Sequence, residues 1–302
     1  MGLFGGYQNP GAGINPYAPK KNTFARFWEL LWHNLGKLLT LNLLYALMHL
    51  PLLLSYMFFI GTNNKLTNLM CILLLIVQLL VEGPTMSGCA KVLRKIILDK
   101  PVSTFEEFKA GFQDNFGPSL LYFLIDVLGI ALLYCNRTLC PQYVVKYSTK
   151  LMYAPLIVTI SVDLVLLFMN FYIFPMQTAT HLNKRSILKN ALQLTVLSPK
   201  QCLLTLFCVA LEIAVIAIPV LIWRWLTVFL CFYPAAMIGF TVMYICYPVI
   251  QKYVINPYYE QSGEPNPELN DTISEEERVF TDRSDSESPA PKEKTKQHRT
   301  IS

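Results

Sequence analysis

Residues 151–176 read LMYAPLIVTISVDLVLLFMNFYIFPM. A single charged side chain, Asp163, interrupts an apolar run that reaches the ~17–25 residues a helix needs to cross a lipid bilayer. The apolar positions do not alternate as in a barrel strand. A helix pairs its backbone N–H and C=O groups within itself, as any segment in hydrocarbon must. The stretch therefore predicts a transmembrane helix. The same reading extends outward to Leu38–Ile60, Leu66–Val81, Ser119–Cys135, Cys202–Trp223 and Leu226–Ile250. Residues 66–81 and 119–135 sit at or just below the length limit, and span only with neighbours or a locally thin bilayer. The expected fold class is all-α, a polytopic membrane protein of six transmembrane helices.

Composition agrees. Of 302 residues 53% are hydrophobic and 15% charged, where roughly 25% charged is usual for a soluble chain. The charges gather between the apolar blocks and in the C-terminal region, which excludes an ordinary soluble enzyme. Residues 1–22, rich in Gly, Pro and Asn, predict a flexible lead-in. The first block starts at Leu38 and no small-residue cleavage site follows Ile60, so a cleaved signal peptide is not expected. Gly6 stands where a myristoylation signal needs Ser or Thr.

Orientation follows from Lys and Arg, which concentrate in cytoplasmic loops. Lys20, Lys21, Arg26 and Lys37 precede the first block. Lys91, Arg94, Lys95, Lys100 and Lys109 follow the second, and Lys184, Arg185, Lys189 and Lys200 follow the fourth. Against these thirteen, the alternate loops hold five: Lys65, Arg137, Lys146, Lys150 and Arg224. Both termini are thus expected to be cytoplasmic, in a cell membrane. Residues 1–250 carry a net charge of +9 and the remainder −4. Anionic lipid on the cytoplasmic face explains the basic portion. Residues 256–302, with the runs EEER and SDSESPAPKEKTK, are too polar to bury a core and predict a disordered acidic tail.

The chain also resembles itself. Residues 24–39, FARFWELLWHNLGKLL, match residues 105–120, FEEFKAGFQDNFGPSL, at an offset of 81: Phe24 with Phe105, Phe27 with Phe108, Asn34 with Asn115 and Gly36 with Gly117. A weaker copy begins near Ile187 and places Pro199 at the same offset from Pro118. Each copy precedes a pair of apolar blocks. The expected organisation within 23–255 is therefore one amphipathic helix plus two spans used three times, at about 24–104, 105–185 and 186–255. In the first copy Phe24, Phe27, Trp28, Leu31 and Leu35 recur at helical spacing, with Arg26, Glu29 and His33 on other sides. That pattern predicts an interfacial helix. The Asn-x-Gly end of this copy and the Asn115-Phe-Gly-Pro118 end of the next predict helix exits into the membrane.

The stretch GPTMSGCAKVLRKIILDKPVSTFEEFKAGFQDNFGPSLL, Gly83 to Leu121, resembles the YesL-like family of bacterial integral membrane proteins. Gly83-Pro84 match that family's turn after the second span, Arg94-Lys95 its basic helix, Glu106-Glu107 its acidic spacer, and Phe108 through Phe116 its aromatic segment. FPMQTATHLNKRSILKNALQLTVLSP, Phe174 to Pro199, resembles its second cytoplasmic loop. The likeness covers roughly residues 23–250. It implies an activity not established for the family. It also implies an accessory or regulatory role near carbohydrate uptake or sensing, with ABC-transporter components or a sensor kinase as partners. The residues expected to meet such a partner are Arg94, Lys95, Phe105, Phe108, Phe112 and Phe116.

Three acids fall within the apolar blocks: Asp126, Asp163 and Glu212. A charge at mid-bilayer costs about 2.5–3.5 kcal/mol on insertion scales. With His49, and with Asn42, Gln78 and Asn170 in support, the acids form either an ion- or substrate-binding cluster or a set of interhelical hydrogen bonds. Pro51, Pro155, Pro175, Pro219, Pro234 and Pro248 kink or end the blocks. Cys135 and Cys140 flank an expected outward loop, where a short disulfide and the sequon Asn136-Arg137-Thr138 would sit. No cysteine pair has zinc-ligand spacing with histidines. No Walker loop, nucleophile elbow, H-E-x-x-H or dinucleotide fingerprint occurs. No metal, cofactor, nucleic-acid partner or enzymatic activity is expected. The bilayer is the expected partner throughout. The sequence leaves an accessory protein acting through amphipathic helices, with a secondary transporter or channel using the carboxylates as the alternative.

Overall fold

The computed structural model describes residues 23–61, 64–222, 234–263, 266 and 268. The lead-in 1–22, Arg224, Cys231 and nearly all of the acidic tail lie outside them, as does the side chain of Pro219. The chain divides into two units, Met1–Tyr253 and Val254–Ser302. The first holds α1 (Thr23–His33), α2 (Leu35–Met48), α3 (Leu50–Gly61), α4 (Lys65–Ile97), α5 (Thr104–Asp114), α6 (Phe116–Tyr147), α7 (Ala154–Ala179), α8 (Lys184–Leu197), α9 (Pro199–Ile222) and α10 (Pro234–Ile250). In the second, Asn256–Ser262 form a short helix, α11, closed by Gly263 at φ 69°. The Asn256 amide oxygen accepts a 3.1 Å bond from the Asn266 side chain.

This is an all-α, multi-pass membrane protein. Five helical stretches are long and apolar enough to cross a bilayer: Lys65–Ile97, Phe116–Tyr147, Lys150–Ala179, Pro199–Ile218 and Ala235–Ser262. The first predicted block is a sixth only if the pair α2 and α3, bent by 47° at His49, counts as one span. Pro51 is the cause. It has no N–H to offer the Leu47 carbonyl one turn back, and its ring crowds that carbonyl. The two blocks that looked short belong to helices of 33 and 32 residues. Beyond its apolar run α4 becomes buried against other helices, from Glu82 onward, whereas α6 runs on as an exposed, more polar helix to Tyr147.

The Gly83-Pro84 turn is corrected by the structure: both residues lie inside α4. A Cβ on Gly83 would overlap the Ser119 carbonyl of α6. The glycine is therefore there for close approach of α6, not for a reversal. Thr85 Oγ1 donates to the Val81 carbonyl at 2.8 Å beside the proline. Further along α4, a Cβ on Gly88 would meet the Phe108 ring and carbonyl at 2.9 Å. One on Gly111 would meet Lys91 Cβ at 2.9 Å and Gly88 Cα at 3.0 Å. The backbones of α4 and α5 thus nearly touch. α4 ends at Asp99, φ 57°, where the Lys100 N–H donates back to the Lys95 carbonyl and Pro101 follows.

The expected helix exits are present. Asn34, between α1 and α2, has φ −107° and ψ 13°, and Asn115, between α5 and α6, has φ −110° and ψ 15°. Each side-chain amide donates to the carbonyl four residues back, on Leu30 and Gly111. Ser198, between α8 and α9, does the same with Oγ to Leu194. One bond of this kind satisfies a terminal carbonyl while the chain turns.

Cys135 and Cys140 are in no loop. Both are free thiols within α6, and five residues of helix turn their side chains to different sides, about 140° apart. Asn136 of the sequon donates its amide to Thr159 Oγ1 of α7 at 2.6 Å, so it serves the α6–α7 seam.

The close approaches yield a measurable contrast. Gly83→Ala and Gly88→Ala should each cost about 1–3 kcal/mol through overpacking and lower the melting temperature of the detergent-solubilised chain. A Cβ added at Gly36 or Gly117 would have nothing within 4 Å. Alanine there should be neutral or stabilise by up to about 1 kcal/mol. Equal losses at all four positions would contradict the packing.

Candidate functional site

Polar side chains on the apolar helices gather in three places. The first joins α6 and α7. Asp126 lies within hydrogen-bonding range of Asn170 and electrostatic reach of Asp163. Asp163 in turn packs on Gly129, where a Cβ would overlap its Oδ1. Asp126 and Gly129 are three residues apart, so both carboxylates occupy one face of the helix pair. Among the described residues Asp163 Oδ2 and Asn170 Oδ1 are buried without a hydrogen-bond partner.

The second joins α9 and α10, where Thr241 Oγ1 donates to Glu212 Oε1. Of the three predicted acids, then, two meet and the third is held by a hydroxyl.

The third joins α2 and α4 at the bend. Glu82, 7% exposed, accepts three bonds: from Tyr45 Oη at 3.1 Å to Oε1, from Gln78 Nε2 at 2.6 Å to Oε2, and from His49 Nε2 at 2.9 Å to Oε2. The His49 ring stacks on Tyr45 with centroids 4.1 Å apart, and Nδ1 is 2.9 Å from the Tyr45 carbonyl. His49, expected with the three acids, sits instead with this fourth one. Glu82 escaped the sequence reading because the apolar block was closed at Val81, one residue early. Two pairs at helical spacing, Tyr45 with His49 and Gln78 with Glu82, were the available signal. Asn42 has yet another use: its Oδ1 accepts the backbone N–H groups of Ala235 and Ala236, capping α10.

The predicted partner-facing residues divide. Arg94 is turned inward: Nε donates to Tyr247 Oη of α10 at 2.8 Å and Nη1 to the Thr178 carbonyl of α7 at 2.5 Å. Lys95 pairs with Glu107 of α5 at 2.5 Å. Phe108 is 3% exposed and wedged against Gly88, which makes it a packing residue and not a contact for a partner. Phe112 is half-buried between Phe108 and Phe116. Phe105 and Phe116 remain exposed, at 61% and 40%. On α1, Phe24, Trp28 and Trp32 form an exposed edge, while Phe27 packs on Phe240 and Tyr244 with centroids 5.2 Å away.

Among the described residues no group of three or more His, Cys, Asp or Glu is placed to hold a metal ion. No curated protein and no solved structure matches the chain. A family model described as a protein of unknown function, DUF624, matches residues 38–137, from the start of the bent pair through most of α6, so it takes in the Glu82 cluster, the α4–α5 crossing and Asp126. What the chain shares with that family is thus an integral membrane segment whose activity is unknown.

Proposed function

We propose that this chain is a non-enzymatic accessory component of the cell membrane, built from three units of one short helix and two spans, with both termini cytoplasmic. Its exposed aromatic edges dock a carbohydrate-transporter component or a sensor kinase. One observation carries the reading. At the corresponding positions Phe24 and Phe105 the ring points away from the protein, 71% and 61% exposed. At Phe27 and Phe108, three residues on, the ring packs inward. The two short helices α1 and α5 therefore each present an inner anchor and an outer aromatic, and on α5 Lys109 lies one turn from Phe105. Aromatic and basic side chains together suit an interface close to anionic headgroups.

A second reading rests on Asp126 and Asp163. Two facing carboxylates in a low-dielectric setting are stabilised by a shared proton or a bound cation. In this reading α6 and α7 carry an ion path, and Asn170 supplies its neutral ligand.

Three experiments test these readings. A photoreactive phenylalanine at position 24 or 105, in cells, should cross-link a transporter or kinase component. The same probe at position 108 should give only internal links. Links from 105 to lipid alone would remove the docking role. A protease added to intact cells should leave a C-terminal tag untouched until the membrane is permeabilised; cleavage beforehand reverses the orientation. In proteoliposomes, Asp163→Asn should lower proton or cation flux roughly tenfold if the second reading holds, and unchanged flux removes the acid from it.

A further inference from the structure

The bend between α2 and α3 is where a broken helix, a buried carboxylate and an imidazole coincide. His49 is the residue at the break, with φ −91° and ψ 2°. Its backbone N–H is shared between the Tyr45 and Ala46 carbonyls at 3.2 and 3.1 Å, and Pro51 removes the next donor. The backbone ladder is thus interrupted beside this residue, and its side chain helps to hold the joint. α2 is tied to α4 through Tyr45 and Glu82, and α3 through a reciprocal pair, Ser55 Oγ to the Cys71 carbonyl at 3.3 Å and Cys71 Sγ to the Ser55 carbonyl at 3.4 Å. The His49 ring is the tie at the vertex between them.

Both ring nitrogens face oxygen. A peptide carbonyl can only accept, so Nδ1, 2.9 Å from the Tyr45 carbonyl, carries a hydrogen. Nε2 lies 2.9 Å from Glu82 Oε2, which already accepts from Gln78 while Oε1 accepts from Tyr45. With each of its oxygens already accepting, from Tyr45 and from Gln78, Glu82 is arranged as a carboxylate, and an acceptor-only oxygen facing Nε2 calls for a hydrogen there too. We infer that the α2–α3 bend is a proton-operated joint, closed while an imidazolium at His49 bridges the Tyr45 carbonyl and the Glu82 carboxylate. Loss of the Nε2 proton to solvent breaks that N–H···O bond. It leaves a neutral imidazole whose lone pair opposes Oε2, and a net negative charge on buried Glu82. The geometry then favours withdrawal of the ring and a change of bend.

The surroundings supply no substitute cation among the described residues. Tyr45 of α2 and Cys89 of α4 are the other titratable groups within electrostatic reach. Tyr56 of α3 is 62% exposed. Arg94 of α4 is bound to Tyr247 and the Thr178 carbonyl. On α5, Glu107 pairs with Lys95 and Asp114 with Lys91, while Glu106 and Lys109, like Arg137 and Lys146 of α6, are exposed. Asp126 of α6 lies near Asn170 and Asp163 of α7.

The test uses the full chain in lipid nanodiscs with ¹⁵N-labelled histidine. The four histidines are 33, 49, 181 and 298, and His49 is assigned by replacing the other three with Gln. Near neutral pH its two ring nitrogens should give the signals of an imidazolium, and Glu82→Gln should convert them to those of a neutral ring. Amide exchange over residues 45–56, corrected for intrinsic rates, should rise roughly fivefold or more when the pH is raised from about 5 to about 9 and the Nε2 proton leaves. His49→Gln should abolish that rise. A neutral His49 ring throughout this range overturns the inference, and the spectrum decides this without the Glu82 or His49 variant. A rise of the same size in His49→Gln overturns it equally.

Discussion

Between Gly83 and Leu93, α4 presents so little side-chain bulk on one face that other helices reach its backbone. α6 comes against Gly83 through the Ser119 carbonyl and α5 against Gly88 through Phe108 and Gly111, while at the far end the Leu93 side chain reaches Gly239 of α10. Within a bilayer, apolar side chains gain nothing by leaving lipid for one another, so helix association depends on close van der Waals approach and on hydrogen bonds. The stretch Gly83-Pro84-Thr85-Met86-Ser87-Gly88 makes that approach available. Arg94 then locks the same region, reaching Tyr247 on α10 and the Thr178 carbonyl on α7. The surface ion pairs Lys91–Asp114 and Lys95–Glu107 add register to the α4–α5 contact, and exposed pairs contribute at most about 1 kcal/mol each. The crossing is set by glycine and phenylalanine, and the charges follow it.

The helix exits show how little sequence such an architecture needs. Asn34 and Asn115 adopt nearly the same backbone angles and make the same bond to the carbonyl one turn back, and Ser198 makes its counterpart with a hydroxyl. In each case a short polar side chain closes one amphipathic helix, and the next residues start an apolar one. This is why the self-similarity of residues 24–39 and 105–120 could be read without a structure. Among the matching positions Asn34 and Asn115 close a helix and Phe27 and Phe108 pack inward, and such jobs leave local signatures.

Fold class was legible for the same reason: the bilayer imposes long apolar runs, and Leu151–Met176 is one. Helix ends were less legible, because α4 continues past its apolar run into a segment covered by protein, and α6 continues into an exposed, more polar one. Hydropathy reports the lipid-facing length, and Glu82 at 7% exposure lies just beyond it. The Gly83-Pro84 pair misled for a related reason. The two residue types that mark turns in isolation also let a second helix approach, and only the position of Ser119 distinguishes the cases. The site was half legible. That Asp126 and Asp163 lie within membrane-length helices followed from their blocks, but their coming within electrostatic reach depends on α6 and α7 pairing in a particular rotation. That Arg94 faces inward depends on Tyr247, far away in sequence, and no local pattern encodes it.

The distribution of polar groups carries a last argument. Each intramembrane polar cluster lies across a boundary between two helices: Asp126 and Asp163 across α6 and α7, Glu212 and Thr241 across α9 and α10, Glu82 and His49 across α4 and the α2–α3 bend. A polar pair in hydrocarbon adds ~0.6–2 kcal/mol to helix association, less than the cost of leaving one member alone and charged. Such pairs are therefore weak as glue and strong as constraints on which relative positions the helices can take. At α6–α7 the helices are long and continuous, so the constraint fixes a seam. At His49 the helix is already broken and Pro51 has removed a backbone donor, so the same constraint acts on a joint.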